Sequence, residues 1–118
     1  WPNDNYDLLI LNADGTGMNV LAKTEPYERS PDFSPDGSTI VMQVHTIPSA
    51  DGLLATIPAG GGQGSLLMRA GLGPKWAPDG YQFVFTGTGG GIFRMNDDGT
   101  GWAPIDIHSQ ARSPDWRP

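Results

Sequence analysis

The sequence of 118 residues contains no cysteine, which excludes a disulfide framework, Cys-ligated metals and thiolate catalysis. Basic residues are few, seven against thirteen acidic ones for a net charge of −6. With no basic stripe to neutralise phosphates, nucleic acid is excluded as a partner, and electrostatic attachment to an anionic membrane is disfavoured. No apolar run approaches the roughly eighteen residues of a transmembrane helix, and the sequence holds no signal-like segment. It opens on Trp1 rather than Met, as expected of a chain relieved of a leader or of a piece of a longer protein. Histidine is nearly missing: His45 and His108 stand alone, without a second ligand at metal spacing, and read as edge or surface residues.

Motifs that carry chemistry are equally absent. Ser65 lies in Gly62-Gln63-Gly64-Ser65, which is not a nucleophile elbow. Gly87-Thr88-Gly89-Gly90-Gly91 has neither the Lys-Ser/Thr of a phosphate loop nor the third Gly of a dinucleotide fingerprint, and reads as a flexible hairpin. No Asp-x-Asp-x-Asp-Gly calcium loop occurs; Asn3-Asp4-Asn5-Tyr6-Asp7 is the densest oxygen cluster and is read without a metal. No Asn-x-Ser/Thr glycosylation acceptor occurs either. The expectation is no catalytic residue, no metal and no cofactor, hence a protein that is not an enzyme.

What the chain does have is glycine (17) and proline (11), nearly a quarter of its residues. They interrupt nearly every window long enough for an amphipathic helix. Between them lie short runs rich in β-branched and aromatic residues. Thr39-Ile40-Val41-Met42-Gln43-Val44 is one, and Tyr81-Gln82-Phe83-Val84-Phe85-Thr86, with Tyr81, Phe83 and Phe85 on one face, is another. The fold class is therefore all-β.

The punctuation repeats. Pro31-Asp32-Phe33-Ser34-Pro35-Asp36-Gly37 returns 43 residues later as Pro74-Lys75-Trp76-Ala77-Pro78-Asp79-Gly80, and begins again as Pro114-Asp115-Trp116-Arg117-Pro118. Leu11-Asn12-Ala13-Asp14-Gly15-Thr16-Gly17 returns as Met95-Asn96-Asp97-Asp98-Gly99-Thr100-Gly101, with a decayed copy at Ile57-Pro58-Ala59-Gly60-Gly61-Gly62 between them. Asp14, Gly15, Asp36, Gly37, Asp79, Gly80, Asp98 and Gly99 are assigned to structural turns: the carboxylate caps nearby backbone and the glycine takes the positive φ. Four short strands per period of about forty residues make one propeller blade.

The aromatic-Ser/Ala-Pro-Asp-Gly turn, the apolar strand after it and the Leu/Met-Asn-x-Asp-Gly-Thr-Gly hairpin resemble the repeat of TolB-type β-propellers; blades of prolyl-oligopeptidase-like and tricorn-like proteins are related. The resemblance covers residues 7–118 and implies a fold of four-stranded antiparallel blades and an extracytoplasmic location: periplasmic, secreted or cell-surface. It implies no particular activity.

The whole of 1–118 reads as one propeller segment, with a half blade at 7–22, full blades at 31–69 and 74–108, and the first strand of a further blade at 114–117. That is just under three repeats, where propellers close with about four to eight. The ring stays open unless completed by other copies, head to tail, or by the rest of a longer propeller. Phe33, Trp76 and Trp116, one per repeat, are expected to pack between blades. Arg29 and Arg112, also matched, are expected to pair with carboxylates such as Asp32 or Asp115. Leu9, Leu11, Arg112, Pro114 and Trp116 are the candidate contacts between copies. The function expected is a non-catalytic interaction and self-assembly module forming a ring, filament or tube. The alternative is a propeller fragment of a larger protein, such as a prolyl-oligopeptidase-like peptidase or a ligand-binding propeller.

Overall fold

A computed structural model describes residues 8–22, 27–45, 52–106 and 114–115. All regular structure in these residues is strand. In chain order the strands are β1 (Leu8–Ile10), β2 (Asn19–Ala22), β3 (Tyr27–Phe33), β4 (Thr39–His45), β5 (Leu53–Pro58), β6 (Ser65–Ala70), β7 (Leu72–Trp76), β8 (Gln82–Thr86), β9 (Ile92–Asn96) and β10 (Ala103–Asp106). They form three antiparallel meanders: the pair β1-β2, the sheet β3-β4-β5-β6 (blade 1) and the sheet β7-β8-β9-β10 (blade 2). Sequence neighbours are sheet neighbours throughout, as short turns between alternating strands dictate. Of the strand expected at 114–117, Pro114 and Asp115 are described and neither is in a strand; a strand exists only where a neighbour shares its hydrogen bonds.

The turns follow from the repeated residues. Gly37 N donates to Ser34 O at 2.8 Å and Gly80 N to Ala77 O at 3.0 Å, closing the same turn in each blade. Asp36 Oδ1 accepts from Ser38 N at 2.9 Å and from the hydroxyls of Ser34 and Ser38 at 2.7 Å each. The Asp14 and Asp98 hairpins are near copies: each carboxylate takes its threonine amide, Thr16 or Thr100, at 2.9 Å, and Gly15 and Gly99 sit at φ 87° and 89°. The innermost strands share a device the repeat motif does not advertise. Ser30 and Gly73, both one residue before the Pro of the motif, have positive φ of 52° and 57°. The ladders of β3 with β4 and β7 with β8 shift register there. A bulge of this kind admits Pro31 and Pro74 into strands without leaving a ladder acceptor unmet.

Hydrogen bonds to the Ser34 hydroxyl, the Ser38 amide and the Ser38 hydroxyl, in that order, lower the Asp36 carboxyl to about 2. Thr16 and Thr100 lower Asp14 and Asp98 in the same direction. A folded-state value below that of the unfolded chain adds stability above the unfolded value, lost as pH falls through the folded one. Stability should thus decline between about pH 4 and pH 2, and Asp36→Ala should flatten that decline. Thermal melts at stepped pH check this; an unchanged acid profile in the variant contradicts it.

Both faces of blade 1 are buried. Ile40, Met42, Val44, Ala55 and Ile57 form one cluster. Val41 and Leu54, on the opposite face, join Trp76, Phe83, Phe85 and Met95 of blade 2 in a second, which is the core between the blades. Strict alternation along β4 and β8 assigns each residue to its side. Tyr81 departs from the expected pattern. It precedes β8 and is exposed, because its amide is still held by Asp79 Oδ1 at 2.9 Å and the chain has not yet entered the sheet.

Candidate interaction site: the blade-stacking interface

The interface between blades is built from β4 and β5 of blade 1 and from β7, β8 and β9 of blade 2. Trp76, at the end of β7, is 7% exposed and meets Phe83 edge to face at 5.7 Å. Behind it Phe85 tilts against Phe83 at 6.4 Å. Glycine makes the close approach possible at the strand junction: a Cβ on Gly71 would lie 2.6 Å from Phe85 Cδ2.

Polar links complete the seam. As the edge of its sheet, β7 has amides with no strand partner, and blade 1 supplies acceptors for them. Trp76 N donates to Asp32 Oδ2 at 2.7 Å and Gly73 N to Gln43 Oε1 at 3.2 Å. Gln43 is buried and its Nε2 donates to His45 Nε2, so His45 braces the seam. Asp32→Ala should strand the Trp76 amide and destabilise by about 1–3 kcal/mol, with Asp32→Asn intermediate. Equilibrium urea unfolding checks this; equal stability of Ala variant and parent contradicts it.

Phe33 corrects the expectation of uniform packing. It occupies the Trp76 position in blade 1 yet is 48% exposed. Trp76 packs on a complete sheet, whereas the meander before blade 1 comprises β1 and β2 alone among the described residues. Trp116 and Arg112 lie outside the described residues. Arg29 is exposed on β3, and Asp115 is exposed. Pro114 and Asp115 line a cavity of about 290 Å³ together with Ser30, Gly73 and Lys75. The bulge residues of β3 and β7 thus line one cavity with the third Pro-Asp.

Leu9 and Leu11 are exposed, Leu11 at 53%. Alignment of the Asp-Gly hairpins places Leu11 with Met95, and the pairing of Met95 with Phe83 and of Ile57 with Ile40 places Ile57 there too. Met95 is 1% exposed and Ile57 also buried. The same residue position is therefore core in two blades and surface beside β1. Among the described residues no group of three or more His, Asp or Glu could hold a metal ion, and no helix is long and apolar enough to cross a membrane. The aromatic ladder Phe85–Phe93–Trp102 is a feature that the repeats did not reveal. Its sequence signal was a mismatch, Trp102 standing where the first hairpin has Met18.

Blades of four antiparallel strands stacked face to face define a β-propeller, here an open part of one. No protein-family model matches the chain, and no curated protein matches it. Solved structures do. TolB from Acinetobacter baumannii superimposes with a TM-score of 0.72 at 19% identity, over 86% of this chain and 26% of that one. A candidate TolB from Agrobacterium tumefaciens gives 0.70 at 19% identity, over 83% of this chain and 40% of that one. An oligogalacturonate lyase solved in complex with manganese gives 0.67 at 19% identity, over 85% and 29%. The chain has the fold of TolB-like propellers, and it spans 40% or less of each of these neighbours.

Proposed function

We propose that the chain is a non-catalytic propeller module that acts in protein–protein interaction, stacking blades head to tail with other copies of itself into a closed ring or an extracellular filament. The observation that supports this reading is the exposure of Leu9 and Leu11 at repeat positions that are core elsewhere in the chain. Such a face matches in chemistry the surface that blade 2 already presents to blade 1, and like surfaces stacked in one direction give a heterologous contact. At the far end, Ile105 on β10 is exposed and Asp115 repeats the acceptor position of Asp32. The joint would bring Leu9 and Leu11 of one copy against blade 2 of the next, with Pro114, Arg112 and Trp116 at its inner end. An extracytoplasmic site of action goes with the TolB-like fold.

One observation favours a second reading. The structural neighbours are far longer than this chain, so a preceding blade of one longer protein would cover Leu9 and Leu11 equally well. In that case the activity belongs to the whole propeller, and the neighbours include both TolB and an enzyme by name.

Leu9→Asp with Leu11→Asp tests the first reading, because both side chains are exposed and their replacement spares the chain's own core. Burying two unpaired carboxylates in the joint should weaken self-association by more than about a hundredfold. Sedimentation velocity reads the result; an assembly as stable as the parent's contradicts the proposed joint.

A further inference from the structure

Beside the blade seam, blade 2 carries a cavity of about 310 Å³ that stacking does not require. One wall is a ladder of rings. Phe85, fully buried, stacks on Phe93 at 5.8 Å and 22°, and Phe93 stacks on Trp102 at 4.9 Å and 13°. The facing side is the β8–β9 hairpin, Gly87 to Gly90, and Ala70 at the end of β6 closes one flank. All three rings are peculiar to blade 2, Phe85 standing where blade 1 has Met42. By strand pairing, Phe93 and Trp102 stand where blade 1 has Ala55 and Gly64, and blade 1 folds into the same four strands without them. Trp102 is nevertheless left 40% exposed at the cavity.

The hairpin is shaped to leave that space open. A Cβ on Gly87 would strike Phe93 Cε2 at 2.5 Å, so glycine lets the hairpin sit directly on the ladder. A Cβ on Gly89, at the tip, would meet nothing within 4 Å, so this lining position has room for a side chain beside the cavity. The described lining residues include no charged side chain. A phosphate, a nucleotide or an acidic peptide would find no counter-charge among them. What they offer is aromatic surface on one side with a hydroxyl, Thr88, and peptide groups on the other.

We infer that this cavity is a binding site for a neutral saccharide. A pyranose ring presents an apolar face of C–H bonds, whose slight positive charge suits the negative face of an aromatic platform. Its rim of hydroxyls exchanges hydrogen bonds with a threonine and with backbone groups. A volume near 310 Å³ falls at the small end of ligand pockets, about 300–1,000 Å³, which fits one or two sugar units of a longer chain. The backing by Phe93 and buried Phe85 fixes the platform before the ligand arrives, which reduces the ordering that binding must impose.

The test is titration of the chain with cellohexaose, xylohexaose and maltohexaose, read by the indole N–H resonance of Trp102 in two-dimensional NMR. At least one of the three should shift it saturably at millimolar concentration or below. Gly89→Leu, which fills the mouth from an exposed hairpin tip, should weaken that binding by at least about tenfold, as should Trp102→Ala. Trp102→Phe should retain it within a few fold. Should Trp102→Ala fail to fold, Gly89→Leu and Trp102→Phe still decide. No saturable shift with any of the three sugars overturns the inference. So does binding that Gly89→Leu leaves unchanged, or a site that takes a tryptophan-containing peptide in preference to every sugar.

Discussion

Trp76→Ala is expected to destabilise the chain by about 3–5 kcal/mol, the range for emptying a buried aromatic site. Trp76 is 7% exposed and touches the core from both blades, so truncation opens a cavity that neither sheet can fill alone. Phe33→Ala, at the matching place in blade 1, should cost only about 1–2 kcal/mol, because half of that ring is already in water. Trp76→Phe sharpens the comparison. The indole Nε1–H of Trp76 is buried and has no acceptor among the described residues, a condition that itself opposes folding by about 1–3 kcal/mol. Phenylalanine gives up some volume but removes that donor, so the net change should stay within about 1.5 kcal/mol. Urea unfolding followed by circular dichroism separates the three variants. Equal losses for Trp76→Ala and Phe33→Ala would contradict the asymmetric packing of the two blades.

Phe85→Ala should be comparably severe, about 3–5 kcal/mol, and it carries an internal control. Phe85 is fully buried between Phe83 and Phe93, and Gly71 approaches it so closely that a methyl group there would lie 2.6 Å from its ring and 3.1 Å from Leu54 Cδ1. Gly71→Ala alone should therefore overpack the seam, at about 1–3 kcal/mol. With Phe85 already truncated, the added methyl enters vacated space, and Gly71→Ala should become neutral or mildly stabilising. The two changes are thus expected to be strongly non-additive, as contacting residues are. Simple additivity of the two losses would place Gly71 and Phe85 out of contact.

The repeat explains why so much of this fold is readable in the amino-acid sequence. Pro-Asp-Gly and Asn-x-Asp-Gly-Thr-Gly are local devices: their hydrogen bonds run between residues two to five apart, so the sequence that encodes them also contains all their partners. The alternating runs at Thr39–Val44 and Gln82–Thr86 are similarly self-contained. Packing between blades is not local, and it is only partly legible in the sequence. Trp76 and Phe33 occupy the same place in the repeat and differ in burial, because burial depends on how complete the neighbouring sheet is. The Asp32–Trp76 bond spans 44 residues, and the next repeat carries Lys75 in place of the acceptor. The bulges at Ser30 and Gly73 were hidden because serine seldom takes positive φ, though Pro31 and Pro74 inside strands were a hint of them. The Phe85–Phe93–Trp102 ladder was invisible to a search for recurrence, since it consists of what blade 2 has and blade 1 lacks.

The exposed β1 face links the fold to the proposed role. In both complete blades the residues equivalent to Leu9 and Leu11 lie in a core cluster or pack against one. Apolar surface at those positions drives stacking by the same burial that holds blade 1 to blade 2. The measurement that tests this most directly is the native mass of the particle beside the mass of the intact chain, by native mass spectrometry at micromolar concentration. Head-to-tail stacking predicts particles that are integer multiples of 12.6 kDa, a closed ring or a growing series, with no stable single chain. A monodisperse particle of one chain's mass would contradict it.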